Sequence, residues 1–359
     1  MTVRTWIALP AVVLLVGLGA RAGRSAAAIP TASLRPQAVL ATDRLLMLAA
    51  NRSRAAVVTT TTRGCGAIVV WTAPAHRLSR FRLGELGCNF DGVDELALGH
   101  GQVAWLEAGG GNDLELTVMS GRLPRGRTKQ LDYQVNGDRA GEDPTGGWAG
   151  NLVGAGSLLA YNRWTVVCER PAGEDCSNGD PQARPTHEQL VRIDGGHTST
   201  TRSGTDTYPL VAAGGGRFAI VQDGGVATIT ARGEPRAFVR DSGAPPRTVG
   251  LTSSTLLVER AAALDLYDAG TGESRGSIAL GTAAPLALAG VSEGYALLAG
   301  PRRLVLVRLR DGALVELKPG VSSFVGARLT VAGLFYAYNP TSRRGRIGFV
   351  PARTLARTF

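Results

Sequence analysis

"RLTVAGLFYAYN", from Arg328 to Asn339, returns in altered form as "NLVGAGSLLAYN", from Asn151 to Asn162. Six of the twelve positions are identical, at a separation of 177 residues. Each copy is a run of small and apolar residues, a turn built on glycine, and a second apolar run. Weaker relatives begin at Leu40 ("LATDRLLMLAANR"), Glu95 ("ELALGHGQVAWLEAG"), Leu210 ("LVAAGGGRFAIVQDG"), Val249 ("VGLTSSTLLVERA") and Leu286 ("LALAGVSEGYALLAG"). The starts at 40, 95, 152, 210, 249, 286 and 329 are spaced by roughly forty to sixty residues, a period that marks a repeat architecture.

The second half of each unit reads as a hairpin. Leu304 to Leu309 runs through Asp311-Gly312 into "ALVELK", and Ala263 to Tyr267 runs through "DAGTGE" into "SRGSIAL". Leu114 to Met119 is expected to turn at Ser120-Gly121, and Leu190 to Ile193 at Asp194-Gly195-Gly196. Gly and Asp tolerate the positive φ angles of tight hairpin turns. Beyond the N-terminal stretch no segment sustains a 3.6-residue period. These observations predict an all-β chain: a seven-bladed β-propeller of four-stranded antiparallel blades. In such a fold the inner strands crowd an axial channel, which explains "GAG", "VAAGGG" and "LALAG" at one place in the unit. The final "RIGFVPARTLARTF" and residues 29 to 39 are expected to supply strands that complete the ring, because propellers leave only short edges.

"LDLYDAGTGESRGSIALG", Leu264 to Gly281, resembles blades of the secreted bacterial WD40-like and quinoprotein-like propeller superfamily. The resemblance covers this blade and its successor and implies the fold alone. No Trp-Asp dipeptide closes the blades, and neither a Ser-x-Asp-x-Gly-x-Thr-Trp box nor a quinone-docking tryptophan motif occurs. No catalytic residue or cofactor is therefore carried over.

Arginine supplies 37 of the 39 basic residues, Lys129 and Lys318 being the two lysines. The arginines are scattered, whereas nucleic-acid binders gather charge on one face or in one run. This argues against a nucleic-acid partner. Arg4, the apolar run Trp6 to Ala20, and Ala26-Ala27-Ala28 form a signal-peptide pattern. The fifteen-residue run is short for a membrane span. Residues 1–28 are thus expected to be cleaved, leaving 29–359 as one propeller domain, secreted or associated with the cell envelope, and monomeric. Cleavage removes three arginines and takes the formal charge from +10 to +7. The alternative is an uncleaved N-terminal anchor. Cys65, Cys88, Cys168 and Cys176 fit two disulfides in an oxidising compartment. The strand map favours Cys65–Cys88, across the ends of one hairpin, and Cys168–Cys176, within one loop.

Three insertions fall on one end of the predicted propeller. They are Val135 to Gly150, Cys168 to Thr186, and Ser53 to Gly64. Long loops on a rigid scaffold concentrate binding residues. The candidate ligand-binding residues are Asp138, Glu142, Asp143 and Trp148 in the first insertion, with Glu174 and Asp175 in the second. The carboxylates could hold Ca²⁺, but neither loop has the spacing of an EF-hand, and solvated acidic loops pairing with Arg139, Arg170 and Arg184 are the plainer reading. No metal site is assigned. Trp164 lies within a strand and reads as packing, while Trp148 can offer a stacking platform. Gly290 to Gly294 matches Gly-x-Ser-x-Gly around Ser292, but a strand follows it where a nucleophile elbow needs a helix. Gly99 to Ala104 fails as a dinucleotide motif for the same reason. The reading is a binding or interaction module for an envelope protein, peptide or surface glycan. The alternative is an extracellular propeller enzyme of the polysaccharide lyase, glycosidase or quinoprotein type.

Overall fold

The computed structural model describes residues 28–60, 65–84, 92–99, 101–111, 113–124, 126–137, 145–170, 176, 182–204, 209–222, 224–241 and 245–359. About two thirds of the described residues are β-strand and few are helical, the strands forming successive four-stranded antiparallel groups. One group is β2 (Ala38–Asn51), β3 (Arg54–Thr60), β4 (Ala67–Thr72) and β5 (Arg77–Arg82). Next comes β6 (Gly92–Leu98), β7 (Gln102–Gly109), β8 (Leu114–Arg122) and β9 (Thr128–Asn136), followed by β10 (Gly146–Ala155), β11 (Leu158–Cys168), β12 (Ala183–Asp194) and β13 (His197–Ser203). The groups β14 (Leu210–Gly214) to β17 (Pro235–Arg240), with β15 (Arg217–Gln222) and β16 (Gly225–Thr230), and β18 (Thr248–Leu251) to β21 (Ser274–Ala279), with β19 (Thr255–Glu259) and β20 (Ala263–Asp268), are separate sheets. The last strands are β22 (Ala287–Ser292), β23 (Tyr295–Ala299), β24 (Leu304–Arg308), β25 (Leu314–Lys318), β26 (Gly326–Thr330), β27 (Gly333–Thr341) and β28 (Arg344–Pro351). This order is that of a β-propeller.

The groups pack face to face, and each core cluster is shared between neighbours. Ala56, Val58, Ile68 and Val70 of the β2 group meet Val103 and Trp105 of the β6 group. Ala160 and Leu190 meet Phe218 and Ile220. Leu297 and Leu306 meet Leu334, Tyr336 and Val350. Middle strands are therefore buried on both sides, and β3 and β4 read as nearly continuous apolar runs rather than alternating ones.

The N-terminus joins the last group. Ala38 to Asp43 of β2 pairs antiparallel with β28, from Ala38↔Phe349 to Asp43↔Arg344. Arg44 to Asn51 then pairs with β3. One strand is thus the outer strand of the final group and the inner strand of the first. β1 (Thr31–Ser33) adds a parallel strand outside β25.

Several sequence expectations are corrected. Leu40 to Arg52 is not a hairpin but the single strand β2 with its turn beginning at Arg52. Most of the Ser53–Gly64 insertion is strand β3, where Ala55, Ala56 and Val57 are fully buried between two sheets. Residues 61–64 lie outside the described residues. The Val135–Gly150 crossing is shorter, since β9 continues to Asn136 and β10 begins at Gly146. Ser120 and Gly121 are paired inside β8 with Lys129 and Thr128, so the turn comes later. "RIGFVP" is strand, but "ARTLARTF" is not. It forms the short helix α1 (Ala352–Leu355) and a 3-10 turn, which bury Leu355 and stack Phe359 on Tyr295 at 5.8 Å.

Candidate binding surface

Two features give this fold surfaces able to bind. The first is the β10 group, whose middle strands overreach the others. β11 and β12 run eleven and twelve residues, against five and six in β19 and β20. At about 3.3 Å per residue the excess extends the sheet by roughly 20 Å. The extension leaves the body at a bulge in β10, between Gly150 and Val153, matched by a register shift in β11 between Arg163 and Thr165. Asn151 takes a left-handed conformation there, with φ 57°, which Asn tolerates better than most residues. Glu95 of the preceding group braces the bulge. Its carboxylate accepts the N–H groups of Asn151 (3.0 Å) and Leu152 (2.5 Å). Burial pushes the Glu95 carboxyl above its ordinary value, and these hydrogen bonds only partly offset that.

Trp148 and Trp164 lie on the extension as a directly opposed cross-strand pair. Their rings are 6.2 Å apart and 4° from parallel, and both are half-buried. The predicted platform residue is thus stacked on the residue assigned to packing. Toward the tip, Arg184 pairs with Glu169 at 3.3 Å, and Cys168 is bonded to Cys176 with Cα atoms 5.6 Å apart. Cys65 is also disulfide-bonded, while its expected partner Cys88 lies outside the described residues. Asp138, Glu142, Asp143, Glu174 and Asp175 lie outside them too. On the neighbouring sheet surface, Asp132 accepts from the Tyr161 hydroxyl (2.8 Å) and Arg163 (3.4 Å), and burial raises the Tyr161 pKa. This network joins β9 to β11 and was not visible in the sequence, because its members are about thirty residues apart.

The second feature is an axial cavity of about 680 Å³. It is lined by β2, β6, β10, β14, β18, β22 and β26, the innermost strand of each group, and by their turns. These strands approach closely. A Cβ at Gly290, whose φ is 154°, would stand 2.7 Å from the Leu329 N, and one at Gly214 would overlap the Leu251 carbonyl. The small-residue signature therefore reflects strand-to-strand contact as much as channel width. Polar residues tie the groups together. The two asparagines ending the repeated phrase both reach the next group: Asn162 accepts the Leu210 N–H (2.6 Å), and Asn339 accepts the Leu45 N–H and donates to the Leu45 carbonyl, both at 2.9 Å. Glu259 accepts the Leu288 N–H at 2.8 Å.

The charged side chains of the cavity lining are Arg52, Glu293 and Arg328. Glu293 accepts from the N–H and hydroxyl of Ser253 (3.0 and 2.5 Å) and from Ser254 (3.1 Å). Burial alone would raise its pKa, but these hydrogen bonds outweigh it and hold the carboxyl below the ordinary value. Arg328 was missed in the sequence, although it is a cation in an otherwise small and apolar inner strand. Among the described residues, no group of three His, Cys, Asp or Glu side chains could hold a metal ion. No helix among them is long and apolar enough to cross a membrane.

No family model matches this chain, and no curated protein matches it. Solved structures similar to it include the WD40 domain of Neurospora crassa Pan2, at 11% identity and TM-score 0.47, covering 86% of this chain and 89% of that one. Another is the AfRom2 CNH domain, at 9% identity and TM-score 0.42, covering 86% and 94%. A third is PorZ, a bacterial surface component of the type-IX secretion system of Porphyromonas gingivalis, at 11% identity and TM-score 0.46, covering 83% of this chain and 36% of that one. At these identities the likeness concerns the fold.

Proposed function

We propose that residues 29–359 form a single seven-bladed β-propeller, secreted or held at the cell envelope after removal of residues 1–28, that acts as a binding module. The blade count is supported by the inner strands, which touch in the order β2, β6, β10, β14, β18, β22, β26, with β26 against β2. Export is supported by the signal-like N-terminus and the Cys168–Cys176 bond. The observation that carries the binding role is the β11–β12 extension: a hairpin stapled near its tip, braced at its root by Glu95, and faced with a stacked tryptophan pair. Rigid scaffolds present recognition elements in this way. Its partner would be an envelope protein, a peptide or a surface glycan, contacted through this end and the adjoining acidic insertions.

The test replaces residues 169–182 with a short Gly-Ser turn and, separately, changes Trp164→Ala. Thermal unfolding shows whether each variant folds, and pull-down from envelope extract together with a glycan array reads binding. Loss of a specific partner in folded variants is the expected result. Undiminished binding in both would move the functional surface elsewhere.

A further inference from the structure

We propose that the axial cavity is a carboxylate-binding site and that Arg328 is the residue that recognises the ligand. Arg328 sits in the middle of β26. Its sequence neighbours Ala327 and Leu329 are buried in the core between two sheets, whereas Arg328 itself is exposed and lines the cavity. Protein surrounds the guanidinium closely enough that desolvation lowers its pKa. The residue thus keeps solvent access at the cavity while enough protein stands around it to desolvate its charge in part.

The group is not neutralised by the protein. One N–H of Arg328 donates to the Ala327 carbonyl at 2.9 Å. No carboxylate among the described residues stands within ion-pair distance of it. Glu293, the acid in the same lining, is engaged by Ser253 and Ser254. A guanidinium offers five N–H donors in a planar fork, so several remain for a ligand. A partly desolvated, unpaired charge is costly to a folded protein, and an arriving anion relieves that cost while forming charge-assisted hydrogen bonds.

The walls select the class of anion. Beside Arg328 most of the lining is glycine, alanine, valine and leucine, such as Ala49, Ala212 and Val249, with a smaller polar set that includes Asn51 and Ser292. The charged residues of the lining, Arg52 and Arg328 against Glu293, leave one net positive charge, which balances a monoanion, and the Arg328 fork matches a carboxylate in bidentate geometry. A phosphate dianion would exceed that net charge. The cavity thus suits a small monocarboxylate with a short apolar body. This site is separate from the β11–β12 hairpin, and neither proposal depends on the other.

The experiment is calorimetric titration of the full mature chain with acetate, butyrate and inorganic phosphate, on wild type, Arg328→Met and Arg328→Gln. Butyrate should bind wild type more tightly than acetate does, and phosphate should bind more weakly than either. Loss of a charge-assisted pair should weaken butyrate binding by roughly ten- to hundredfold in both variants. Without ligand, Arg328→Met should melt no lower than wild type, because it removes an unpaired charge. If only Arg328→Gln folds, its titration decides. Equal butyrate affinity in wild type and a folded variant would overturn the proposal, as would wild type failing to bind either carboxylate. Tighter binding of phosphate than of butyrate would overturn the ligand class.

Discussion

Asn339 and Asn162 end the two copies of one phrase, yet their replacement should cost different amounts. Asn339 uses both ends of its amide, each at 2.9 Å from the backbone of Leu45, 294 residues away. Asn339→Leu strands an N–H and a carbonyl on β2 at once. An unsatisfied buried group costs about 1–3 kcal/mol, and this site is only partly buried, so about 2–3 kcal/mol is expected in all. Asn162 is fully buried, and its Oδ1 accepts from Leu210 (2.6 Å) and Asn151 (3.3 Å), but its Nδ2 finds no partner. Asn162→Leu orphans the Leu210 N–H while removing an orphan donor. The two effects offset, leaving about 1 kcal/mol. Urea unfolding followed by circular dichroism reads both, with the slope checked for two-state behaviour. The sites are far apart in the fold, so the double variant should lose the sum of the two. If Asn162→Leu costs as much as Asn339→Leu, the hydrogen-bond accounting is wrong.

Other perturbations follow from the same contacts. Gly290→Ala places a Cβ 2.7 Å from the Leu329 N in a backbone conformation that disfavours side chains, and should cost about 3 kcal/mol, read as a lowered unfolding midpoint. The raised Glu95 carboxyl keeps its proton in the folded state above the ordinary 4.5. The folded protein then binds more protons than the unfolded chain, so this group's stabilisation is complete below 4.5 and declines as pH climbs through the raised value. Glu95→Gln should flatten that decline in melts taken from pH 4 to 8, and an unchanged pH profile would deny that Glu95 titrates this way. Cys168→Ser with Cys176→Ser frees an eight-residue separation and should lower stability by about 2.5 kcal/mol on the chain-entropy model. A loss confined to proteolytic protection of the hairpin, with no change in global melting, would place that hairpin outside the cooperative unit.

The repeat was legible because each unit is local. Asp311-Gly312 lies in the turn that the dipeptide implies, with Gly312 at φ 71°. The glycines of "LALAG" and "VAAGGG" mark strands that touch backbone to backbone. What failed was mostly decided by a distant partner, although the joining of the two chain ends was expected and is found in the β2–β28 pairing. "RAAVVTT" looks like a loop flanked by Ser and Thr, yet it is β3, buried by two sheets that the local sequence does not name. The alternation in Leu40 to Arg52 is the same whether one sheet or two uses the strand, so its division at Asp43 and Arg44 could not be read. Of the candidate site, the sequence indicated Trp148 and the Cys168–Cys176 loop, because turn composition and cysteine spacing are local signals, while it assigned Trp164 to packing. It hid Glu95 and Arg328, whose roles depend on a neighbouring strand and on the axis.

The closing contacts and the cavity cation belong to the same region of the molecule. β26 carries Arg328, and its place is fixed from both sides. Toward β22 it forms a parallel pairing, Gly290↔Leu329, at the close approach that requires glycine. Toward β2 the hydroxyl of Thr330 donates to the Arg52 carbonyl at 2.7 Å. β2 is in turn held by β28 through Ala38 to Asp43 and by Asn339 at Leu45. Detaching the N-terminal strand would remove the pairing that holds β2 on the side where it supports β26, the strand that carries Arg328. β2 is the innermost strand that joins the two ends of the chain, and β26 lies against it.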